Sequence, residues 1–76
     1  MKEVLEYIAR NLVDDPDAVQ VTEVPGDGLL TLRLTVAPED MGKVIGKRGR
    51  TVRAIRDVVR AAAMKTGVTT FVEIVE

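Results

Sequence analysis

A four-residue connection, GKRG at residues 46–49, joins two segments with helical periodicity and constrains the fold more than any other feature. Before it, Pro38 suits the first position of a helix, and acids follow in the first turn, where the helix dipole favours them. After it, apolar residues recur at spacings of three and four: Val52, Ile55, Val59 and Ala62. These patterns predict a short helix ending near Gly46 and a longer helix from about Arg50 to Lys65.

The rest of the chain predicts one more helix and three strands. Residues 2–13 carry apolar side chains at helical spacing, which is typical of an amphipathic helix. Residues 18–24 and 29–36 alternate apolar and polar side chains around a Pro/Gly turn at 25–28, so they predict an antiparallel hairpin. Residues 68–75 are rich in β-branched side chains and predict a last strand.

The predicted order of elements is α-β-β-α-α-β, within a single domain spanning residues 1–76. The crossover through two helices makes the second and third strands parallel, with a right-handed connection. The predicted fold class is therefore α+β, a three-stranded mixed sheet covered on one face by three helices. The helix-turn-helix unit with its loop occupies residues 38–65. The two aromatic residues, Tyr7 and Phe71, are expected in the core.

Charge is strongly segregated along the chain, although the net charge is only −1. Residues 43–65 contain eight cations and one acid, Asp57, whereas the remaining residues contain three cations and eleven acids. A surface with one strongly positive side suits a polyanionic partner. A solvated helix face is the alternative, but such faces usually mix the two signs.

The composition excludes several kinds of site. Cysteine and histidine are absent, so we expect no disulfide, no thiolate or histidine metal site and no histidine base. The segment GKVIGKR lacks the spacing of a P-loop, and the acids of an Asp-based hydrolase, Asp14, Asp15 and Asp17, lie beside Pro16 in a predicted turn. We therefore expect no cofactor, no small-molecule substrate and no enzymatic activity. Acids interrupt the N-terminal segment, and no apolar run approaches the roughly 20 residues that span a bilayer. The chain is expected to be cytoplasmic and to have no membrane contact.

The turn at 46–49 has three features that favour a phosphate backbone. Gly46 and Gly49 lack Cβ atoms, so another chain can approach closely. The longer helix starts directly afterwards, so its free N–H groups and the positive end of its dipole point at whatever lies there. Lys47 and Arg48 add mobile positive charge. Two glycines three apart are weak evidence alone, but these two lie within the basic segment.

The segment VIGKRGRTV, residues 44–52, resembles the V-I-G-x-x-G-x-x-I signature of KH domains, with Val52 where many of them have Ile. KH domains bind RNA and clamp about four nucleotides with their GXXG loop. The predicted order of elements is similar to the type II arrangement of bacterial KH proteins. The resemblance covers nearly all of the chain, including APEDMGKVIGKRGRTVRAIR and the VEIVE ending, and is to the small stand-alone bacterial KH proteins.

The resemblance implies a protein that binds single-stranded RNA and acts as an RNA chaperone or post-transcriptional regulator. It also implies a homodimer, or a heterodimer with a larger KH-containing partner of the KhpB (Jag/EloR) type, and a link to cell elongation and cell-wall homeostasis.

Carried over by position, the resemblance also assigns the RNA-binding residues. They are the loop residues Gly46, Lys47, Arg48 and Gly49, the groove residues Met41 and Val44, and the helix residues Arg50 and Arg53. The strand 29–36 is expected to help form the groove floor, and Ile45 and Val52 are expected to anchor the helices in the core.

Two other classes of protein stay open on the residues alone. A helix-turn-helix DNA-binding protein also has a short turn between two helices, and Arg50, Arg53 and Arg56 could contact base edges. A protein-interaction or dimerisation module could use the alanines at 61–63, which let another backbone approach the longer helix closely. Single-stranded DNA is a further candidate ligand, because no residue pattern indicates that a 2′-OH is read.

Overall fold

A computed structural model describes residues 1–75, so Glu76, the last residue of the VEIVE ending, lies outside the described residues. The helices are α1 at Lys2–Leu12, α2 at Met41–Ile45 and α3 at Arg50–Ala63, and the strands are β1 at Gln20–Gly26, β2 at Leu29–Thr35 and β3 at Thr69–Ile74. Single turns of 3₁₀-helix lie at Pro16–Ala18, Pro38–Asp40 and Met64–Thr66, and a tight turn without helical dihedral angles lies at Lys47–Gly49. Within the described part of the chain, none of the helices has the length and apolar character needed to cross a bilayer.

The strands form one sheet in the order β1-β2-β3. β1 and β2 are antiparallel, with Gln20 opposite Thr35. β2 and β3 are parallel, with Leu29 opposite Thr69, because the chain crosses over through α2 and α3 between them. The predicted α+β class, a three-stranded mixed sheet with three helices, is confirmed.

The core lies between the sheet and the helices, because each element buries one of its sides. β2 buries Leu32 and Leu34, and α1 buries Leu5 and Ala9. The buried residues of α3 recur at helical spacing: Val52, Ile55, Val59 and Ala63. Burying one such Leu, Val or Ile side chain contributes about 1.5–3 kcal/mol, so these contacts hold α3 in place behind the loop.

The hairpin turn is tighter than predicted. β1 continues through Pro25 and Gly26, which leaves only Asp27 and Gly28 in the turn. The sheet accommodates Pro25 because β1 is an edge strand, where every second backbone nitrogen faces away from the sheet and takes no part in the ladder. Gly28 has a φ of 67°, a left-handed conformation that glycine adopts without a Cβ penalty.

The prediction that both aromatic residues lie in the core is wrong, since Tyr7 is 71% exposed and Phe71 is 49% exposed. Tyr7 lies two residues from both Leu5 and Ala9, which turns it away from the buried side of α1. Phe71 alternates with the buried residues of β3, so it points to the open face of the sheet.

Candidate nucleic-acid interface

The GKRG loop joins α2 to α3 through one tight turn. The Gly46 N–H donates to the Gly42 carbonyl at 2.9 Å and ends α2, and the Gly49 N–H donates to the Gly46 carbonyl at 3.1 Å. Arg48 and Gly49 both have left-handed backbone conformations, with φ of 58° and 72°. The chain therefore reverses sharply, and the Lys47 and Arg48 side chains are exposed at the turn.

Gly46 is required at its position for two reasons. Its φ of 75° and ψ of 170° fall in a region of backbone conformation that is essentially restricted to glycine. A Cβ there would also collide with Thr51, at 2.6 Å from its Cβ and 2.8 Å from its backbone nitrogen. At Gly49, by contrast, an added Cβ would meet only a Val52 methyl group, at 4.0 Å. Gly46 thus lets the end of α2 pack directly against the start of α3.

The loop presents positive charge that no acid neutralises. Lys47, Arg48, Arg50 and Arg53 are exposed, and none of them forms an ion pair with another residue of the described chain. α3 begins without a side-chain cap, although the Arg50 N–H at its start donates to the Lys47 carbonyl. The helix dipole adds partial positive charge at the same point. This arrangement can hold the phosphates of an extended chain.

An apolar cavity of about 440 Å³, here called the groove, opens beside the loop. Its walls are Thr35, Val36, Pro38, Met41, Ile45 and Val75. Met41 and Ile45 are four residues apart, so they share one side of α2, and Ile45 directly precedes Gly46. The Val75 N–H donates to the Leu34 carbonyl at 2.9 Å, which holds the opposite wall against the sheet. Apolar walls of this kind suit flat, weakly polar groups such as nucleobases.

The structure brings seven of the eight predicted site residues to this surface: Met41, Gly46, Lys47, Arg48, Gly49, Arg50 and Arg53. Their roles in RNA binding stay predictions. The prediction that Val44 contacts bases is contradicted, because its side chain is 0% exposed and belongs to the core. Ile45, predicted to be a core anchor, is only partly buried and lines the groove instead. Val44 and Ile45 are neighbours on α2 and point about 100° apart, so when one faces the core the other faces the groove.

Other predictions about the groove hold in part. Val52 is buried, as predicted for a core anchor. Of the strand that was predicted to form the floor, only the end, Thr35 and Val36, reaches the groove. Across residues 1–75, no group of three or more acidic side chains could hold a metal ion.

A buried carboxylate positions α2, although the sequence pattern gave Asp40 only the role of a first-turn acid. Asp40 is 2% exposed, and it accepts hydrogen bonds from the Asp15 N–H at 3.1 Å and the Lys43 ammonium at 3.4 Å. Lys43 also donates to Asp14 at 2.6 Å. These contacts tie the segment after α1 to the start of α2, and so they fix the wall of the groove.

The charges of this cluster stabilise one another. Burial raises the pKa of Asp40, but the N–H groups of Asp15 and Asp14 and the Lys43 ammonium outweigh that effect and hold it below the ordinary 3.8. The pKa of Lys43 is raised, chiefly by its hydrogen bond to Asp14. Lys43 therefore forms ion pairs with two carboxylates, so its charge is not available to a ligand at the loop.

Comparison with known proteins places this site in a family. The sequence matches the family "KhpA/KhpB, KH domain" over residues 2–74. It is 59% identical over 75 residues to RNA-binding protein KhpA of Clostridium acetobutylicum, covering 99% of this chain and 100% of that protein. It is 47% identical over 76 residues to RNA-binding protein KhpA of Chlamydia trachomatis, covering 100% and 97% of the two chains. These matches confirm the predicted resemblance to a small bacterial KH protein.

Solved structures show the same fold. Era from Aquifex aeolicus is similar with a TM-score of 0.65 and 21% identity, over 96% of this chain and 28% of the Era chain. A second Era structure, solved with nucleotides 1506–1542 of 16S ribosomal RNA, is similar with the same TM-score of 0.65. At 21% identity, these similarities concern the fold alone.

Proposed function

The chain belongs to the KhpA/KhpB KH-domain family, and from that membership we propose that it binds single-stranded RNA through the GXXG loop, Gly46–Gly49, and the groove beside it. The curated relatives are named for RNA binding and not for a reaction, which confirms the prediction that this chain is not an enzyme.

The observation that carries the proposal is the meeting of unpaired cations, uncapped N–H groups and an apolar cavity at one place. Phosphates of the RNA lie against Lys47, Arg48 and the first turn of α3, where the positive charge is concentrated. The bases then lie across Met41 and Ile45 in the groove. About four nucleotides occupy such a site, and the exposed Arg50 and Arg53 hold the next phosphates.

Base recognition at this site is weak, because the groove walls are mainly apolar side chains that offer few hydrogen bonds. Affinity beyond that of one site comes from multivalency. The chain works as a homodimer or with a KhpB (Jag/EloR)-like partner, whose KH domain belongs to the same family as this chain.

The biological role that we propose is that of a cytoplasmic RNA chaperone or post-transcriptional regulator, linked to cell elongation and cell-wall homeostasis. The similarity to curated relatives named RNA-binding protein KhpA supports the RNA-binding part of this role, and the cellular part rests on the family resemblance.

Binding of duplex DNA by a helix-turn-helix is the alternative to be tested. In that mode α3 would enter the major groove. However, α3 buries one side in the core, and the Arg56 Nε donates to the Val72 carbonyl at 3.1 Å. These contacts leave α3 less free to enter a groove than a recognition helix requires.

The proposal predicts that Lys47→Asp combined with Arg48→Asp strongly reduces RNA binding. Each phosphate contact to a single strand is worth about fivefold at 0.1 M salt, so losing two costs at least about 25-fold before repulsion is added. Thermal stability should stay nearly unchanged, because both side chains are exposed and Asp tolerates the left-handed conformation of Arg48. Fluorescence anisotropy with short single-stranded RNA measures the affinity.

The matched control is Lys2→Asp with Arg10→Asp, which changes the net charge equally but lies on α1. It should bind RNA nearly as well as the wild type. Equal losses in both double variants would show that only the overall charge matters and would contradict a site at the loop. Wild-type binding to duplex DNA but not to single strands would favour the helix-turn-helix instead, and matched single-stranded DNA tests whether the sugar is read.

A further inference from the structure

The three methionines are the only sulfur-containing residues of the chain, because cysteine is absent. They lie in three different environments. Met1 is half-buried and packs against the core, whereas Met64 is 77% exposed on the turn after α3. Met41 is half-buried at the start of α2, and it is the one methionine that lines the groove. Any oxidation of sulfur in this protein therefore falls on one of these three thioethers.

Met41 lies where a change in polarity reaches the groove. It packs against the core on one side and lines the groove on the other. Together with Ile45, one turn further along α2, it forms a continuous apolar wall. Five of the six side chains that line the groove are apolar, and Thr35 alone carries a hydroxyl. A polar atom introduced at Met41 therefore finds few hydrogen-bond partners among the neighbouring side chains.

The sulfur of Met41 is accessible to a small oxidant. Its side chain is half-buried and not fully enclosed, and the groove that it lines has a volume of about 440 Å³. A water molecule takes up about 30 Å³ of liquid water, and hydrogen peroxide is only slightly larger, so a peroxide molecule enters the groove freely. Because the chain has no cysteine, no thiolate competes with the thioethers for this oxidant.

We propose that Met41 is a modification site, at which oxidation of the thioether to methionine sulfoxide by a peroxide weakens RNA binding in the groove. The Met41 sulfur gives an electron pair to one oxygen of hydrogen peroxide, and the O–O bond breaks as the S–O bond forms. The second oxygen takes up the remaining proton and leaves as water, so sulfur loses two electrons and the peroxide gains them. A methionine sulfoxide reductase reverses the step with a dithiol, which becomes a disulfide while the oxygen leaves as water. This inference rests on the proposed function.

The sulfoxide opposes base binding because it changes the chemistry of the groove wall. A thioether is flexible, apolar and polarisable, so it adapts to the face of a base. A sulfoxide oxygen is a strong hydrogen-bond acceptor, and a base that covers it removes its water without replacing the lost hydrogen bonds. The exposed cations of the loop, Lys47 and Arg48, are not altered by the oxidation. The modification therefore lowers affinity in the groove and leaves the phosphate contacts in place.

The test compares binding of one short single-stranded RNA, by anisotropy, before and after treatment of the protein with dilute hydrogen peroxide. Oxidation of the wild type should weaken binding about fivefold to tenfold, the low end of the range for the loss of one stacked base. The log–log salt slope should stay unchanged, because the phosphate contacts persist. The two methionine sulfoxide reductases, one for each sulfoxide epimer, should restore the original affinity. Mass spectrometry measures the oxidised fraction of each methionine.

Met41→Leu and Met64→Leu are the matched variants, and each is compared with its own affinity before oxidation. Leucine keeps an apolar side chain of similar volume that peroxide does not oxidise. Met41→Leu should lose the response to peroxide, whereas Met64→Leu should respond like the wild type, although Met64 is the most exposed of the three methionines. A response that persists in Met41→Leu, or a wild type whose oxidised Met41 binds RNA unchanged, would overturn the proposal and leave the loop site in place. No RNA binding before oxidation would overturn the proposed function as well.

Nuclear magnetic resonance of the oxidised chain separates a change in the groove from a loss of folding. The methyl signals of Ile45 and Val75 line the groove and should move on oxidation, whereas those of Leu5 and Val59, which are fully buried in the core, should stay in place. The melting temperature should change little. Core signals that shift together with a large fall in the melting temperature would mean that oxidation unfolds the protein, and this result would contradict an effect confined to the groove.

Discussion

Gly46 and Gly49 lie in the same loop but should tolerate a side chain very differently. Gly46→Ala forces a restricted backbone conformation and a collision with the Thr51 backbone, so we expect a loss of about 2–5 kcal/mol in the free energy of unfolding. Gly49→Ala has room for the Cβ and should cost only about 1–2 kcal/mol for its left-handed φ. Urea denaturation of both variants measures the difference, and equal losses would contradict this account of the loop.

Asp40 should make stability depend on pH in the acid range. Its pKa in the folded chain lies below the ordinary 3.8, so the charged form stabilises the fold above that pH, and the stabilisation is lost as pH falls through the lower folded value. Asp40→Asn removes the charge and should lower the melting temperature by several degrees at pH 7. The gap between the wild type and this variant should close as pH falls below 3.8.

Melting temperatures measured from neutral to acidic pH test the role of Asp40. Asp17→Asn, which changes an exposed carboxylate on the 3₁₀ turn after α1, is the control and should follow the wild type at every pH. A constant gap between the wild type and Asp40→Asn, down to the most acidic pH, would mean that packing and not charge explains the destabilisation.

Among the elements, those that bury one complete side could be predicted from the sequence. The apolar residues of α1 and α3 recur at helical spacing, and those of β2 alternate, because each element faces one continuous core. The order of elements then fixes the crossover and the parallel pairing of β2 with β3. The fold and the position of the GXXG loop follow from these local patterns.

α2 is the element whose orientation the local pattern did not give. It has five residues, fewer than two turns, and its apolar residues Met41, Val44 and Ile45 fall within a stripe of about 100°, so the spacing alone does not tell which edge of the stripe faces the core. The sequence pattern predicted Val44 in the groove and Ile45 in the core, whereas in the structure Val44 is buried and Ile45 lines the groove. The i, i+4 spacing of Met41 and Ile45 is the signal that pairs the true groove residues.

The remaining differences between the sequence-based predictions and the structure come from contacts between residues that are distant in the sequence. The Asp15 N–H and the Asp40 carboxylate are 25 residues apart in sequence, and Arg56 and Val72 are 16 apart. Neither pair forms a local motif, because the partners meet only after the helices pack on the sheet. The exposed aromatic Phe71 belongs to the same group, since its environment is set by Arg56 from α3.

For the molecule as a whole, the net charge of −1 does not show that the cations fall into two groups, those paired with acids and those without an acidic partner among the described residues. Arg10, Arg33, Lys43 and Arg60 are paired with acids on other parts of the surface. Lys47, Arg48, Arg50 and Arg53 have no such partner within residues 1–75, and they lie together around the loop. A polyanion is therefore attracted at the loop and repelled by the acids elsewhere, which orients it on the surface.

Self-association through α3 should use the side of the helix opposite Arg53, Arg56 and Arg60. Of the alanines considered as a dimer seam, Ala63 is buried in the core, whereas Ala61 is exposed. Val58 lies three residues before Ala61 and is 51% exposed, so the two share one side of the helix. This small, uncharged strip lets a second backbone approach closely.

We therefore expect that the wild-type chain sediments at micromolar concentration as a species of twice its 8.3 kDa mass, and that Val58→Asp sediments at 8.3 kDa. An unpaired carboxylate buried in the seam costs about 3–5 kcal/mol, which weakens association more than about 100-fold. Val24→Asp, at an exposed valine on β1, is the control and should still dimerise. A wild type that sediments only at 8.3 kDa would exclude the homodimer and leave pairing with a KhpB-like partner, whereas a dimer broken by Val24→Asp and not by Val58→Asp would place the seam on the sheet.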